Sequence, residues 1–305
     1  LSLGCIIGFG CFVLPGDFLG TAGPLGATLG VLLGGAAMLI IARSYGVMVR
    51  AFPVAGAEFA YAYHACGRYH AYVCGWFLAL GYLSIVPLNA TALAMLGKFV
   101  APQLFARGYL YTVAGFEVFA GEILLAGAAI VVVGVFQIRG ATGVGNLQVA
   151  LTALLVGGVL VIGLGTPLSG AASVANLQPA FAPDRSALSG VLAMLAIAPW
   201  LYVGFDTLPQ AAEEFDFSPR QGLKLMVLSI GAGAIMYAVV ILATASVMPW
   251  RELVADEPVW ATGTSVRVSL GPIGLACLAL AVTMAVFTGI NGFFMASSRL
   301  LFGMG

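Results

Sequence analysis

Two apolar segments of this chain contain residues that interrupt helices. The first, residues 4–16, reads GCIIGFGCFVLPG and holds four glycines and one proline. The second, residues 195–214, reads LAIAPWLYVGFDTLPQAAEE and holds two prolines, a glycine and, close to that glycine, Asp206. Glycine destabilises a helix through its backbone entropy, and proline lacks the amide hydrogen that a helix interior needs. Both segments are therefore predicted to be helices with an unwound turn.

An unwound turn of this kind frees backbone groups that can bind a charged solute. In hydrocarbon every amide and carbonyl needs a partner from protein, water or a ligand. A break at residues 8–10 gives the half-helix that starts near Cys11 a positive end, which suits a carboxylate. The half-helix that ends near Ile7 offers carbonyls to an ammonium group, and a second break at residues 200–204 adds more. These features predict a zwitterion site made largely of main chain; the simpler alternative is that the glycines permit close helix packing.

The composition of the chain indicates a membrane protein. Of its 305 residues, 61% are hydrophobic and 8% are charged, whereas soluble domains carry roughly 25% charged residues. The 12 basic and 12 acidic residues give a formal net charge of zero. A nucleic-acid partner is therefore not expected, and the expected partners are the lipid bilayer and a small-molecule substrate.

The residues that commonly perform catalysis or bind metals are not grouped in the sequence. The five cysteines form no CxxC pair, and His64 and His70 are six residues apart, whereas a metal-binding pair on one helix prefers a spacing of four. No nucleophile and base stand at a spacing that points to catalysis. We therefore expect no enzyme activity, no cofactor and no metal site.

Uncharged runs of about 20 residues, the length that spans a bilayer, divide the chain into eight predicted spans. Of the 12 basic residues, seven fall on the side of the N-terminus and five on the other side, which favours a cytoplasmic N-terminus. Because the chain begins at Leu1 inside an apolar run, we expect it to be a fragment of a longer protein. The predicted spans are residues 1–20, 24–49, 69–99, 119–139, 142–164, 187–209, 222–249 and 268–302.

The two interrupted segments are the first and the sixth of these spans. Since they are five positions apart in the order of the spans, an odd number, they cross the membrane in opposite directions. One broken helix in each half of a chain is the pattern of an inverted repeat, as found in secondary transporters.

Four motifs resemble those of one family, the amino acid–polyamine–organocation (APC) permeases. The glycine-rich stretch at residues 4–16 resembles the family's first-helix signature, G-x-I-I-G-S-G-I-F-x-x-P. RSYGVMVRAFPVAGAEFAYAYHACG at 43–67 resembles the end of its second helix and the loop that follows. PWLYVGFDTLPQAAEE at 199–214 resembles its sixth helix, and ASSRLLFGM at 296–304 resembles the end of its eighth. The motifs follow the family order over essentially the whole chain.

This resemblance implies a fold and a function. The implied fold is an all-α membrane protein of the five-plus-five inverted-repeat (leucine-transporter) type, truncated to about eight transmembrane helices. Residues 1–165 would form the first repeat and residues 187–305 part of the second. The implied function is secondary active transport of amino acids or related amines by alternating access, in the plasma (inner) membrane.

The resemblance also implies which residues bind the substrate. The amides of Gly8, Phe9 and Gly10 would face its carboxylate. The carbonyls of Ile6, Trp200 and Val203 would face its amine, and the Trp200 ring would form a lid. The full set of predicted binding residues lies at the two breaks and on the third helix: Ile6, Ile7, Gly8, Phe9, Gly10, Cys11, Tyr82, Trp200, Val203 and Gly204.

The sequence departs from the family pattern at two positions. Phe9 replaces the usual serine, which removes a hydroxyl donor and adds bulk. Leu155 stands where some proton-coupled members carry a lysine, so the coupling ion, H+ or Na+, stays open. Asp206 is expected to carry a proton or to hold the sixth-helix break by accepting backbone hydrogen bonds. Thr288 and Asn291 are candidates for an ion site on the eighth helix.

Two other functions fit the same sequence features. Because a fold does not dictate its substrate, the chain could carry a non-zwitterionic solute such as a polyamine, an organic cation or inorganic ions. It could also be a sensor that binds amino acids without transporting them.

Overall fold

The computed structural model describes residues 1–113, 115–139, 141–214, 218–255 and 260–305. Most of these residues are helical, and a two-stranded antiparallel hairpin joins β1 (Tyr109–Val113) to β2 (Phe116–Phe119). The helices are α1 (Ser2–Ile7), α2 (Gly10–Val13), α3 (Pro15–Ala51), α4 (Ala57–Cys66), α5 (Arg68–Val100), α6 (Pro102–Phe105), α7 (Ala120–Ile138), α8 (Ala141–Leu168), α9 (Ala187–Leu201), α10 (Thr207–Gln210), α11 (Pro219–Ser246), α12 (Trp250–Ala255) and α13 (Ala261–Met304), with short 3₁₀ turns at Val174–Leu177 and Ala212–Glu214.

Within the described ranges, six helices are long and apolar enough to cross a membrane: α3, α5, α7, α8, α11 and α13. They coincide with six of the eight predicted spans. The two remaining predicted spans, the first and the sixth, correspond to shorter apolar helices. The chain is therefore an integral, multi-pass, helical membrane protein.

Two of the long helices bend at a glycine that precedes a proline. In α3, Gly23 has φ +71° before Pro24, and in α13, Gly271 has φ +66° before Pro272. Glycine adopts such angles readily, and proline cannot donate a hydrogen bond to the preceding turn. The predicted second span begins at the first of these kinks. The eighth span, predicted from residue 268, instead belongs to a helix that begins at Ala261.

Both predicted segments contain a break, but the second break starts later than the predicted residues 200–204, because α9 runs through Leu201 and so includes Trp200. Gly8 and Phe9 separate α1 from α2, and Gly8 has φ +38° and ψ −175°. Residues 202–206 separate α9 from α10, and Gly204 has φ +117°. Each break therefore depends on a glycine with a positive φ.

The broken helices lie at the centre of the packing. Helix α1 contacts α10, α11 and α13, while α3 packs along α9 and α11, and α13 packs along α5 and α8. The second break touches the first broken helix, since a Cβ atom on Gly204 would lie 2.9 Å from the carbonyl carbon of Cys5 and 3.1 Å from the Ile6 nitrogen, both in α1. Space as well as φ therefore requires glycine at position 204.

Candidate functional site

A small cavity of about 40 Å³ lies between the two broken helices. Its wall combines the main chain of both breaks with side chains from α5, α11 and α13. Six of the ten predicted binding residues line it: Ile6, Gly8, Phe9, Gly10, Trp200 and Val203.

The other four predicted binding residues do not line the cavity. Ile7 and Cys11 turn their side chains into the core, where both are fully buried. Tyr82 and Gly204 are also buried, and both bond to Asp206 rather than facing the cavity. These four residues support the shape of the site, and other residues line the cavity.

The first break leaves three successive amides without an acceptor. The amides of Phe9, Gly10 and Cys11 stand at the start of α2, where the described residues provide no side-chain cap and no main-chain acceptor outside the helices. The Gly8 amide differs from the prediction, because it donates to the Gly4 carbonyl at 3.3 Å and closes the last turn of α1. From α2 the helix continues almost directly into α3, since Leu14 between them is helical. The unpaired amides therefore stand at the start of a long helical segment, where a negative group is stabilised.

The carbonyls predicted to face an amine are in three different states. The Ile6 carbonyl accepts a hydrogen bond from the Tyr237 hydroxyl at 3.3 Å. The Trp200 carbonyl accepts from the Val203 amide at 3.4 Å, near the limit of a hydrogen bond. The Val203 carbonyl accepts none from the described residues. Residues from both broken helices thus line the cavity, and the Val203 carbonyl accepts no hydrogen bond from the described residues.

Two aromatic residues at the breaks also border the cavity. Phe9 is partly buried, and the Trp200 side chain is 44% exposed, like several other residues of α9. Both rings stand beside the main-chain groups just described.

Sequence reasoning did not identify all of the cavity residues. Tyr237 of α11 lines the cavity and bonds to the first break. Asn89 of α5 also lines it: its Nδ2 donates to the Ile85 carbonyl at 2.9 Å, and its Oδ1 is buried without a partner among the described residues. The available signal was a polar side chain within an apolar span, which does not reveal the direction in which the side chain points.

Asp206 holds the second break. Its Oδ1 accepts the Gly204 amide at 2.7 Å, and its Oδ2 accepts the Tyr82 hydroxyl at 2.5 Å. The residue is 6% exposed. The bond from Gly204 is a backbone hydrogen bond of the kind that the sequence predicts for Asp206 at this break, and proton carriage by Asp206 stays a prediction. These two donors stabilise the charged form of a buried carboxylate.

Thr288 and Asn291 belong to a buried polar cluster beside α1. The Thr288 hydroxyl lies 3.0 Å from the Gly4 carbonyl oxygen and 2.8 Å from that of Ala285. Asn291 donates to Gln148 at 2.7 Å and accepts from Gln137 at 2.7 Å. In this arrangement both polar ends of the Asn291 amide are bonded to protein groups.

Comparison with known proteins identifies the family. The model of the amino acid permease family matches residues 1–305, so the chain belongs to the amino acid permease family. It is thus a member of a permease family and not of an enzyme family, as the sequence predicted.

Individual relatives are distant in sequence. The chain is 26% identical to the methylthioribose transporter of Bacillus subtilis and 29% identical to a branched-chain amino acid permease of the same organism; each alignment covers 85% of this chain and 56% of the relative. It is 29% identical to cationic amino acid transporter 9 of Arabidopsis thaliana, with all of this chain and 53% of the relative covered. The chain thus spans little more than half the length of these relatives.

Proposed function

We propose that this chain forms the substrate-binding part of a secondary active transporter for amino acids or related amines, which works by alternating access. The observation that carries the proposal is the pairing, around one cavity, of unpaired amides from one break with carbonyls from both. An α-amino acid can bind to both kinds of main-chain group. Its carboxylate accepts hydrogen bonds from the amides, and its ammonium group donates hydrogen bonds to the carbonyls.

The proposed binding mode follows from these partners. The amides of Phe9 and Gly10 receive the carboxylate, and the Val203 carbonyl receives the ammonium group. Trp200 and Phe9 then cover the apolar part of the substrate. A bound zwitterion supplies hydrogen-bond partners for the main-chain amides and carbonyls that lack them at the two breaks. Binding therefore favours the conformation in which both breaks contact the substrate.

The remaining features of the mechanism are part of the same proposal. Residues 1–165 and 187–305 form the two inverted repeats, with the N-terminus in the cytoplasm and the chain in the plasma (inner) membrane. The glycines at positions 8 and 204 are the hinges about which the half-helices move. The coupling ion is H+ or Na+, and Thr288 and Asn291 remain candidates for its site.

A second candidate function is suggested by one relative. The methylthioribose transporter carries the name of a solute that has no amino acid carboxylate. A carrier of such a solute would bind it in the same cavity. The main-chain groups of the two breaks would then not bind a carboxylate at one end of the solute and an ammonium group at the other. A non-transporting amino acid sensor is a third candidate, because it requires only the binding site.

Counterflow of the full-length protein in proteoliposomes tests the proposal. Vesicles loaded with each amino acid in turn should accumulate the same labelled amino acid, and a sodium or pH gradient should change the rate. Gly8→Leu should abolish this exchange, because the larger residue cannot adopt φ +38° without strain. The control is Gly127→Leu on α7, whose glycine is exposed and has open space around it.

Each outcome separates the candidates. Saturable binding of amino acids without any flux would favour a sensor. Exchange of a solute without a carboxylate, and of no amino acid, would favour the second candidate. Unchanged exchange in Gly8→Leu would contradict the site itself.

A further inference from the structure

Helix α4 places a carboxyl group against α10. Glu58 is in the first turn of α4, and its Oε2 accepts a short hydrogen bond from Nε2 of Gln210 in α10. Gln210 is fully buried. The contact joins the helix between α3 and α5 to the end of the second broken segment, so it must separate if α10 moves relative to α4.

This contact contains too few hydrogen-bond donors. Oε1 of Glu58 and Oε1 of Gln210 are both buried, and neither has a partner among the described residues. Both atoms are acceptors, so the charged pair cannot satisfy them by itself. The other donors at Glu58 are the Tyr45 hydroxyl, which acts on the carboxyl group, and the buried, unpaired Tyr61 hydroxyl of the same helix. A single proton on Glu58 changes this, because a carboxylic acid and a primary amide can pair side by side through O–H···O and N–H···O bonds.

The surroundings of Glu58 also disfavour its charged form. The ionisable groups that act on it or feel its charge are Tyr45 of α3, Tyr61 of α4, Cys74 and Tyr82 of α5, and Asp206 of the second break.

No cation is among these groups. Arg299, on α13, is ion-paired with Glu214. Burial and the Asp206 carboxylate raise the pKa of Glu58 to about 8, although a backbone hydrogen bond and the Tyr45 hydroxyl oppose the shift. At neutral pH these surroundings favour the protonated form.

We propose that Glu58 is a proton-binding site that controls the contact between α4 and α10. Its carboxyl group holds a proton while the contact is made and releases the proton to water when the contact opens. The proposal deepens the proposed function, since it gives H+ a defined place in the transport cycle. It rests on the proposed function only for the assumption that α4 and α10 separate during transport.

The direction of the pH dependence follows. After the contact opens, a solvated Glu58 has its ordinary pKa of about 4.3. Between about pH 4.3, the pKa of Glu58 in the open form, and about pH 8, its pKa in the closed contact, opening releases one proton. Each rise of one pH unit in this range therefore favours the open form about tenfold. Below this pH range the proton on Glu58 contributes its full stabilisation to the contact between α4 and α10. Above the range this stabilisation is completely lost.

Infrared titration of the full-length protein in lipid nanodiscs measures the proton directly. The wild-type protein should show a carbonyl band of a protonated carboxyl group that disappears around pH 8. Glu58→Gln should lack this band, because the amide keeps the pairing with Gln210 and has no proton to release. Glu213→Gln is the matched control, since Glu213 is an exposed neighbour, and it should leave the titration unchanged.

The proposal is overturned if the wild-type protein shows no such band or if the band persists in Glu58→Gln. If Glu58→Gln does not fold, Asp206→Asn provides the second test. Loss of the neighbouring negative charge should move the titration to lower pH, and an unchanged midpoint would overturn the proposal. Because the measurement needs no substrate, a protein that shows the titration but does not transport contradicts the proposed function alone.

Discussion

The Tyr82 hydroxyl donates a 2.5 Å hydrogen bond to the Asp206 carboxylate and so ties α5 to the second helix break. The same carboxylate accepts the Gly204 amide at 2.7 Å. The buried Asp206 carboxylate thereby holds the main chain of the second break and links it to α5. The conformation of the second break therefore depends on tertiary contacts with α5 as well as on its glycine.

Tyr82→Phe should weaken this link. The variant leaves the shape of the ring unchanged but removes one of two donors to a buried carboxylate. The expected loss in the free energy of unfolding is about 1.5–3 kcal/mol, measured by denaturant titration of the full-length protein in mixed micelles. The control is Tyr109→Phe, whose hydroxyl bonds to Thr112 at the exposed hairpin. Equal stabilities of the two variants would show that the Tyr82 bond contributes nothing.

Gly204→Ala should prevent correct packing of the two breaks. The added methyl group would meet the Cys5 main chain at 2.9 Å, and alanine at φ +117° is strained. We expect a low yield of monodisperse protein in size-exclusion chromatography. Gly231→Ala on α11 is the control, since a methyl group there meets no atom within 4 Å. A wild-type elution profile for Gly204→Ala would contradict the close contact between Gly204 and α1.

Trp200→Ala should raise the KM for transport by more than it lowers expression. The ring lines the cavity and covers the proposed substrate, so its loss removes apolar contact, which contributes about 25 cal/mol per Å² buried. Trp76→Ala is a matched control, because Trp76 on α5 is 46% exposed compared with 44% for Trp200 and does not line the cavity. If both variants had the same KM, Trp200 would have no role at the site.

The sequence predicted those features of the site that depend on local backbone chemistry. Both breaks were found from glycine and proline in apolar segments, because these residues act on their own turn of the helix. Six long helices followed from apolar runs of bilayer length. The bonding of Asp206 followed from the high cost of an unpaired charge in a membrane segment.

Features that depend on distant packing were not predictable. Ile7 and Cys11 were assigned to the binding surface, but the helical phase on each side of a break decides which residues face the core. Tyr237 reaches the Ile6 carbonyl across 231 positions of sequence, and no local pattern indicates that contact. Glu58 resembles a solvated loop residue until α10 is seen to cover it.

The central claim is that the main chain of the two breaks binds both ends of a zwitterion. Competition against a transported amino acid, measured with full-length protein, tests it most directly through two derivatives of that substrate, one acetylated at the amine and one amidated at the carboxylate. If both main-chain contacts are made, each derivative should bind at least tenfold more weakly, which corresponds to about 1.4 kcal/mol. If either derivative competes as well as the parent amino acid, that end of the substrate does not meet the broken main chain, and the proposed site is contradicted.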